Sequence, residues 1–276
     1  MRSALSLLFV SVSICQAQTT CAFTEPPVIT RVVDAASGNL QASSNVLLTI
    51  FGRNFTPVGV TVSATDGFIR DNKFPTELNC VAVEIGGQRA PILYVQNNQI
   101  NLQAPTITLT GDLPIKVIMN PDRPNAVSST VETIRIQTFS PAFFTFNGRS
   151  VAARVPNGGP IVADPSVVPD ARPARPGEIV ELYATGLGAA QTPVASGTIA
   201  PMQAIPITGR VRVSIGGTVL NDADIFYAGL APGNISGLYQ INVRVPASAP
   251  NGDLLIGMSI NSEQSVAGTT IPVRAP

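Results

Sequence analysis

The chain has 276 residues, with 17 Lys and Arg against 17 Asp and Glu, no His and no Trp. Without His there is no Ser-His-Asp triad, no Cys-His dyad and no His-ligated zinc, and a net charge of zero disfavours a basic nucleic-acid-binding face. Only 12% of residues are charged and 45% are hydrophobic, a composition that argues against disorder.

The N-terminus reads as an export signal. Met1-Arg2 is followed by an uncharged, largely apolar run from Ala4 to Cys15, then by Ala17 and Gln18. The run is too short for a membrane span, which needs about 20 residues. The predicted cleavage lies between Ala17 and Gln18, so residues 1–17 form the signal peptide; an uncleaved anchor, or a lipoprotein modified at Cys15, is the alternative. Residues 18–26 form an N-terminal extension. No later stretch has the length of a span, so the processed chain is expected to be soluble and secreted, periplasmic or at the cell surface. Cleavage leaves Cys21 and Cys80 as the two cysteines. In an oxidising compartment they read as one disulfide, the alternative being two buried thiols.

The rest of the chain alternates with period two between Gly, Pro, Asn and Asp clusters, which predicts strands. Strand windows are Val81–Ile85, Leu182–Ala184, Val211–Ile215, Ile241–Val245 and Ile271–Arg274. They also repeat. VAVEIGG at Val81 matches VRVSIGG at Val211 (offset 130), Ile92-Leu93-Tyr94 matches Ile225-Phe226-Tyr227 (133), and Gln99-Ile100-Asn101 matches Gln240-Ile241-Asn242 (141). TIFGRNF (Thr49 to Phe55) is similar to ELYATGL (Glu181 to Leu187) at offset 132. The drift places eight extra residues of the second copy in the loop Ala228 to Leu238. Gly86-Gly87 and Gly216-Gly217 read as two-residue hairpin turns, because a type I′ turn needs positive φ at both positions. The predicted fold is all-β: two tandem immunoglobulin-like β-sandwiches related by internal duplication, residues 27–139 and 140–276, each of about seven strands. Pro156 to Pro176 reads as an irregular connection.

Three groups of motifs also carry a resemblance: PARPGEIVELYATGLG (Pro173 to Gly188), FYAGLAPGNISGLYQINVRVP (Phe226 to Pro246) and, in the first copy, LYVQNNQINLQAP (Leu93 to Pro105). Together they resemble the Solibacter-type C-terminal domain family of acidobacterial exported proteins, over about residues 28–274. TIFGRNF also resembles the start of IPT/TIG domains, which implies immunoglobulin-like folds. Members of the first family commonly follow repeat or propeller modules, whereas here the domain stands alone behind a signal peptide. The resemblance implies no activity and no catalytic residues.

Candidate chemistry is sparse. Asp222 and Asp224 flank Ala223 in the longer hairpin of copy two; they suit a solvated turn, a weak calcium site or a glycosidase pair. Asp66, Asp71 and Glu77 lie in the segment Thr56 to Asn79 without an organising calcium motif. No G-x-S-x-G occurs. Tyr94 and Tyr227 are repeat-equivalent and are expected to be mostly buried in equivalent strand positions; rings open on one flat face would favour a sugar platform instead. No cofactor is implied. The leading reading is an exported, non-catalytic module for adhesion, ligand binding or structural support at the cell surface, with an unidentified protein or glycan as partner. Specificity is expected in the loops Thr56 to Asn79 and Ala228 to Leu238. The alternative is a carboxylate-based hydrolase or a polysaccharide-binding accessory protein.

Overall fold

A computed structural model describes residues 21–65 and 67–275. The predicted signal peptide and Asp66 lie outside the described residues. In the first copy the strands are β1 Val28–Asp34, β2 Gln41–Ser43, β3 Leu47–Arg53, β4 Thr61–Ser63, β5 Val81–Ile85, β6 Gln88–Arg89, β7 Ile92–Gln96, β8 Gln99–Gln103, β9 Gly111–Met119, β10 Val127–Ser128 and β11 Glu132–Gln137. The second copy has β12 Ala142–Phe143, β13 Ala153–Arg154, β14 Ile179–Thr185, β15 Val211–Ile215, β16 Thr218–Val219, β17 Ile225–Leu230, β18 Tyr239–Arg244, β19 Gly252–Ile260, β20 Glu263–Gln264 and β21 Thr270–Val273. The one helical element among the described residues is a 3-10 turn at Asp222–Asp224.

Each copy is a pair of sheets packed face to face. The first pairs β1-β3-β8-β7-β4 with β2-β11-β9-β5-β6, where β10 joins β9. The second pairs β12-β14-β18-β17 with β16-β15-β19-β20, where β13 joins β14 and β21 joins β19. Val81, Val83 and Ile85 of β5 point inward onto a core with Leu48, Ile50, Ile100 and Leu102. Val213, Ile215, Leu182 and Ile241 do the same in the second copy. Period two thus turns the apolar set of each strand inward and leaves the alternate residues outside.

The fold is the predicted pair of immunoglobulin-like sandwiches. Gly86 and Gly87 have φ of 58° and 79°, and Gly216 and Gly217 have 59° and 82°. Both pairs therefore form the expected turns, between β5 and β6 and between β15 and β16. The bulges repeat too: the register slips between Ile92 and Tyr94 in one copy and between Ile225 and Tyr227 in the other. A further match joins two long strands. GDLPIKVIM of β9 and GDLLIGMSI of β19 stand at offset 141, each opening on a glycine of positive φ (Gly111 and Gly252). The regularity of the copies differs: seven strands of the first have five or more residues, but only five of the second do. Pro156 to Pro176 forms isolated bridges in place of long ladders, as proline, which cannot donate to a ladder, requires.

The sandwiches are joined by a polar, closely packed junction. At its centre is Gln103, the last residue of β8, which is fully buried. Its Nε2 donates to Asn45 O (3.1 Å) and to Ser236 Oγ (3.2 Å), and its Oε1 accepts from the Gly197 N–H (2.7 Å). Thr185 Oγ1 donates to Gly237 O (2.8 Å) and accepts from the Leu47 N–H (3.1 Å). Alongside runs a small three-stranded array. Phe74 N–H donates to Gly197 O and Ile199 N–H to Asn72 O, both at 2.8 Å, while Ala200 N–H donates to Asn234 O (2.7 Å) and Ser236 N–H to Thr198 O (2.9 Å). Gly197 has φ +78°, and a Cβ there would lie 2.5 Å from Pro91 Cγ, so this crossing strand needs glycine.

Gln103 and Arg244 occupy equivalent places at the ends of β8 and β18, yet Gln103 is buried and Arg244 exposed. Gln103→Ala strands the Gly197 N–H and the Asn45 carbonyl in the junction. It should lower the unfolding free energy in urea by about 2–3 kcal/mol, whereas Arg244→Ala should cost clearly less.

Candidate functional site

A groove of about 550 Å³ lies on the outer face of the β16-β15-β19-β20 sheet. Val213, Ile215, Ile256 and Met258 point into the core, so the alternating Arg212, Ser214, Leu255, Gly257 and Ser259 face out. Ser214 and Gly257 are paired across β15 and β19 and form the floor. The exposed Val219, Leu255 and Val266 supply apolar walls, and Arg212 and Gln264 the polar ones.

The same three-residue constellation in the first copy is charged. Glu84 is paired in register with Lys116 of β9 and Arg89 of β6, as Ser214 is with Gly257 and Val219. Lys116 Nζ lies 2.9 Å from Glu84 Oε2, and Arg89 Nε 3.0 Å from Glu84 Oε1. Long ion-paired side chains thus cover that face in copy one. Val, Ser and Gly leave it open in copy two. The signal in the sequence is a set of mismatches at equivalent positions: Glu84, Arg89 and Lys116 against Ser214, Val219 and Gly257.

The sequence-predicted residues fall elsewhere. Asp222 pairs with Arg210, which holds its carboxyl below the usual carboxylate range. Asp224 lies 3.6 Å from Arg244 Nε. Each acid thus meets an arginine, an arrangement that suits neither a calcium site nor a glycosidase pair. Glu77 pairs with Arg123 at 2.9 Å. Parts of the two loops expected to carry specificity, Asn72 to Phe74 and Asn234 to Gly237, are built into the junction between the sandwiches, while much of the stretch from Pro57 to Lys73 is exposed.

Tyr94 and Tyr227 do occupy equivalent positions, opposite Asn101 and Asn242. They are half-buried, not mostly buried as expected, because they lie on the outer faces of their sheets, opposite the inward Ile100 and Ile241. Their hydroxyls are engaged: Tyr94 Oη donates to Gln96 Oε1 (2.7 Å) and Tyr227 Oη to Leu230 O (2.6 Å). The rings sit on two different sandwiches, and so do not form one flat sugar platform. Tyr239, by contrast, is buried and donates to Gly188 O at 2.6 Å; burial pushes its hydroxyl pKa well up.

Cys21 and Cys80 are joined, with Cα atoms 5.5 Å apart. Asn120 seats the same N-terminal segment: its Oδ1 accepts from the Phe23 N–H (3.2 Å) and its Nδ2 donates to Phe23 O (2.7 Å). A side-chain amide here takes the place of a neighbouring strand. Cys21, Glu77 and Cys80 lie close together, but sulfurs engaged in a disulfide are not thiolate ligands. No helix among the described residues is long and apolar enough to cross a membrane.

Residues 27–136 match the IPT/TIG domain family. None of the curated proteins matches the sequence. Similar solved structures include a Bacteroides thetaiotaomicron protein provisionally assigned as a phosphatase (14% identity, TM-score 0.29, covering 90% of this chain and 50% of that one). Others are an auxiliary nutrient-binding protein of Bacteroides ovatus (12%, 0.28, 91% and 60%) and the Z1Z2 domains of titin in complex with telethonin (12%, 0.22, 92% and 98%). The chain spans 50% and 60% of the length of the first two, and none of the three lends its function to this one.

Two outcomes follow from these sites. The disulfide closes a separation of 59 residues, so Cys21→Ser with Cys80→Ser should lower stability by up to about 4 kcal/mol in equilibrium denaturation. Asp34 is 2% exposed, and burial pushes its pKa up to about 6 against backbone and Ser37 hydrogen bonds that lower it. Its native carboxyl therefore holds a proton that the unfolded chain releases near pH 4. Stability from this group is present below about pH 4 and is lost as pH rises through 6, by about 2–3 kcal/mol. In metal-free buffer, Asp34→Asn should remove that part of the pH dependence of urea unfolding and raise stability at pH 7.

Proposed function

We propose that the chain is an exported, non-catalytic module that binds a partner at the cell surface, and that the groove on the second sandwich is its binding face. The observation that carries this reading is the replacement of the ion-paired Arg89, Glu84 and Lys116 by Val219, Ser214 and Gly257 at register-equivalent positions. A sandwich face is kept soluble by charge in one copy and is left concave and apolar in the other, as ligand sites commonly are. The immunoglobulin-like fold, the IPT/TIG match of residues 27–136 and the Cys21–Cys80 bond support an extracellular setting for such a module. The apolar walls and the lack of an aromatic ring in the groove favour a protein segment over a glycan as the bound partner.

The test is to give the second copy the first copy's side chains. Ser214→Glu, Gly257→Lys and Val219→Arg together install an arrangement that the same fold already carries, so the variant should fold with an unchanged circular dichroism spectrum. In a screen against surface proteins and glycans, partners of the wild-type chain should lose at least tenfold in affinity for it. Undiminished binding by the folded variant would move the binding face elsewhere.

A further inference from the structure

The β4 edge of the first sandwich differs from its counterpart in the second. β4 pairs with β7, Ser63 opposite Tyr94 and Thr61 opposite Gln96. In the second sandwich residues 205–208 take that place beside β17. Ile207 N–H donates to Ala228 O and Leu230 N–H to Ile205 O, both at 3.0 Å, and Pro206 lies opposite Gly229. Since Tyr227 holds the position of Tyr94, Pro206, Ile207 and Thr208 correspond to Thr61, Val62 and Ser63.

The second sandwich covers this edge with its own chain. Gln191 N–H donates to Pro206 O (2.8 Å) and Thr208 N–H to Ala189 O (2.9 Å), while Ala190, opposite Ile207, packs against the core. Residues 189–191 are thus a short outer strand. In the first sandwich Val60 N–H donates to Pro57 O (3.1 Å), a turn that leads straight into β4 and leaves no chain to run alongside it. Ala64 N–H donates to Leu93 O (2.8 Å). By the alternation of an antiparallel ladder, Val62 therefore faces β7, and Thr61 and Ser63 turn their backbone groups outward. The Thr61 carbonyl and the Ser63 N–H, equivalents of the Pro206 carbonyl and the Thr208 N–H, have no partner among the described residues. Free edges are commonly blunted by charge, but no Asp, Glu, Lys or Arg stands between Asn54 and Thr65.

Beside this edge opens a cavity of about 530 Å³. Val62, Phe68 and the Cys21–Cys80 bond line it, with Arg123 and Glu77, which pair with each other at 2.9 Å and so add no net charge. Cross-strand neighbours share a face of the sheet. A residue opposite Val62 would point where Val62 points, into this cavity, as Ala190 points onto the second core. The space holds far more than the methyl group of an alanine and has room for Leu or Phe.

We propose that β4 is a strand-addition site, which takes an extended, uncharged segment of a partner protein with a large apolar residue opposite Val62. Backbone bonds to Thr61 and Ser63 hold the segment, and the cavity selects its side chain. The neutral edge and the neutral cavity call for an uncharged segment. Symmetric pairing of two β4 strands would offer the cavity only a second valine, so a foreign segment fits it better than another copy of this chain. The site is on the first sandwich, apart from the groove, and it stands or falls independently of the binding reading given above.

Random linear peptides displayed on phage, selected on the chain and then synthesised, are the probe. Selected sequences are expected to carry one large apolar residue within a β-forming run. Bound, they should shift the amide resonances of Thr61 to Ala64 and slow hydrogen exchange of the Ser63 N–H at least tenfold. Ser63→Pro removes an outward N–H that β7 does not use, and edge strands tolerate proline there; Pro206 already stands at the other outward position of the equivalent strand. This variant should keep the wild-type fold and bind the peptides at least tenfold more weakly. Methylating the peptide nitrogen that donates to the Thr61 carbonyl should weaken binding as much with the protein unchanged. The proposal is overturned if no peptide is selected, if the bound peptides shift the resonances of Ser214 and Leu255 instead, or if the methylated peptide binds as well as its parent. It is also overturned if the chain sediments as a dimer that Ser63→Pro dissociates, which would make a second copy the occupant.

Discussion

The structure depends on the side-chain amide of Gln103. It joins a carbonyl of its own sandwich to an N–H and a hydroxyl from the other, with no polar atom left over. Amides suit such a place because they donate and accept at once without carrying a charge that burial would penalise. Around it, Thr185 bridges Leu47 to Gly237, and the Asn72–Phe74, Gly197–Ala200 and Asn234–Ser236 segments exchange backbone hydrogen bonds. A junction made of this many satisfied groups has one geometry, since sliding it by a residue would strand several of them at once.

Two similar sandwiches that pack against each other in this way meet with a different surface on each side. Equivalent positions then come under different demands. The position of Gln103 is filled in the second copy by Arg244, which faces solvent and stacks over Phe226 at 5.2 Å. The two-residue turn Asn97-Asn98 becomes the long loop ending at Leu238, which delivers Ser236 and Gly237 to the first sandwich. On the faces away from the junction the divergence runs the other way. Charges remain where Arg89, Glu84 and Lys116 keep a surface wet, and small or apolar side chains stand where the groove opens. What the copies share is core and turns: the Gly-Gly hairpins, the bulge before each tyrosine and the amide pairs Gln99–Asn101 and Gln240–Asn242, at 2.8 and 2.9 Å.

Local features were legible in the residues. Alternation of Val and Ile with polar residues marks β5 and β15, and Gly-Gly marks their turns, because both are decided within a few residues. The likeness of the two halves is legible for the same reason, and extends to GDLPIKVIM of β9 and GDLLIGMSI of β19. The junction was not. QINLQ and QINVR look alike, and nothing local tells that the final Gln is buried while the final Arg is not. Length differences at Thr56 to Asn79 and Ala228 to Leu238 were visible, but that Asn72 to Phe74 and Ser236 to Gly237 meet the other sandwich is a contact that one strand pattern cannot reveal. Asp34 in VVDAASGN reads as an ordinary turn residue, and its Oδ1 does serve a turn. Its surroundings include Gln137, Ser140 and Glu263, all more than 100 residues away in the chain.

If the amide network fixes the sandwiches together, the chain tumbles as one body. Residual dipolar couplings of the backbone N–H groups, collected in one alignment medium, measure this directly. Couplings from strands of both sandwiches should fit a single alignment tensor with the orientation described here. Two tensors of different magnitude would show independent motion of the sandwiches and contradict the rigid junction.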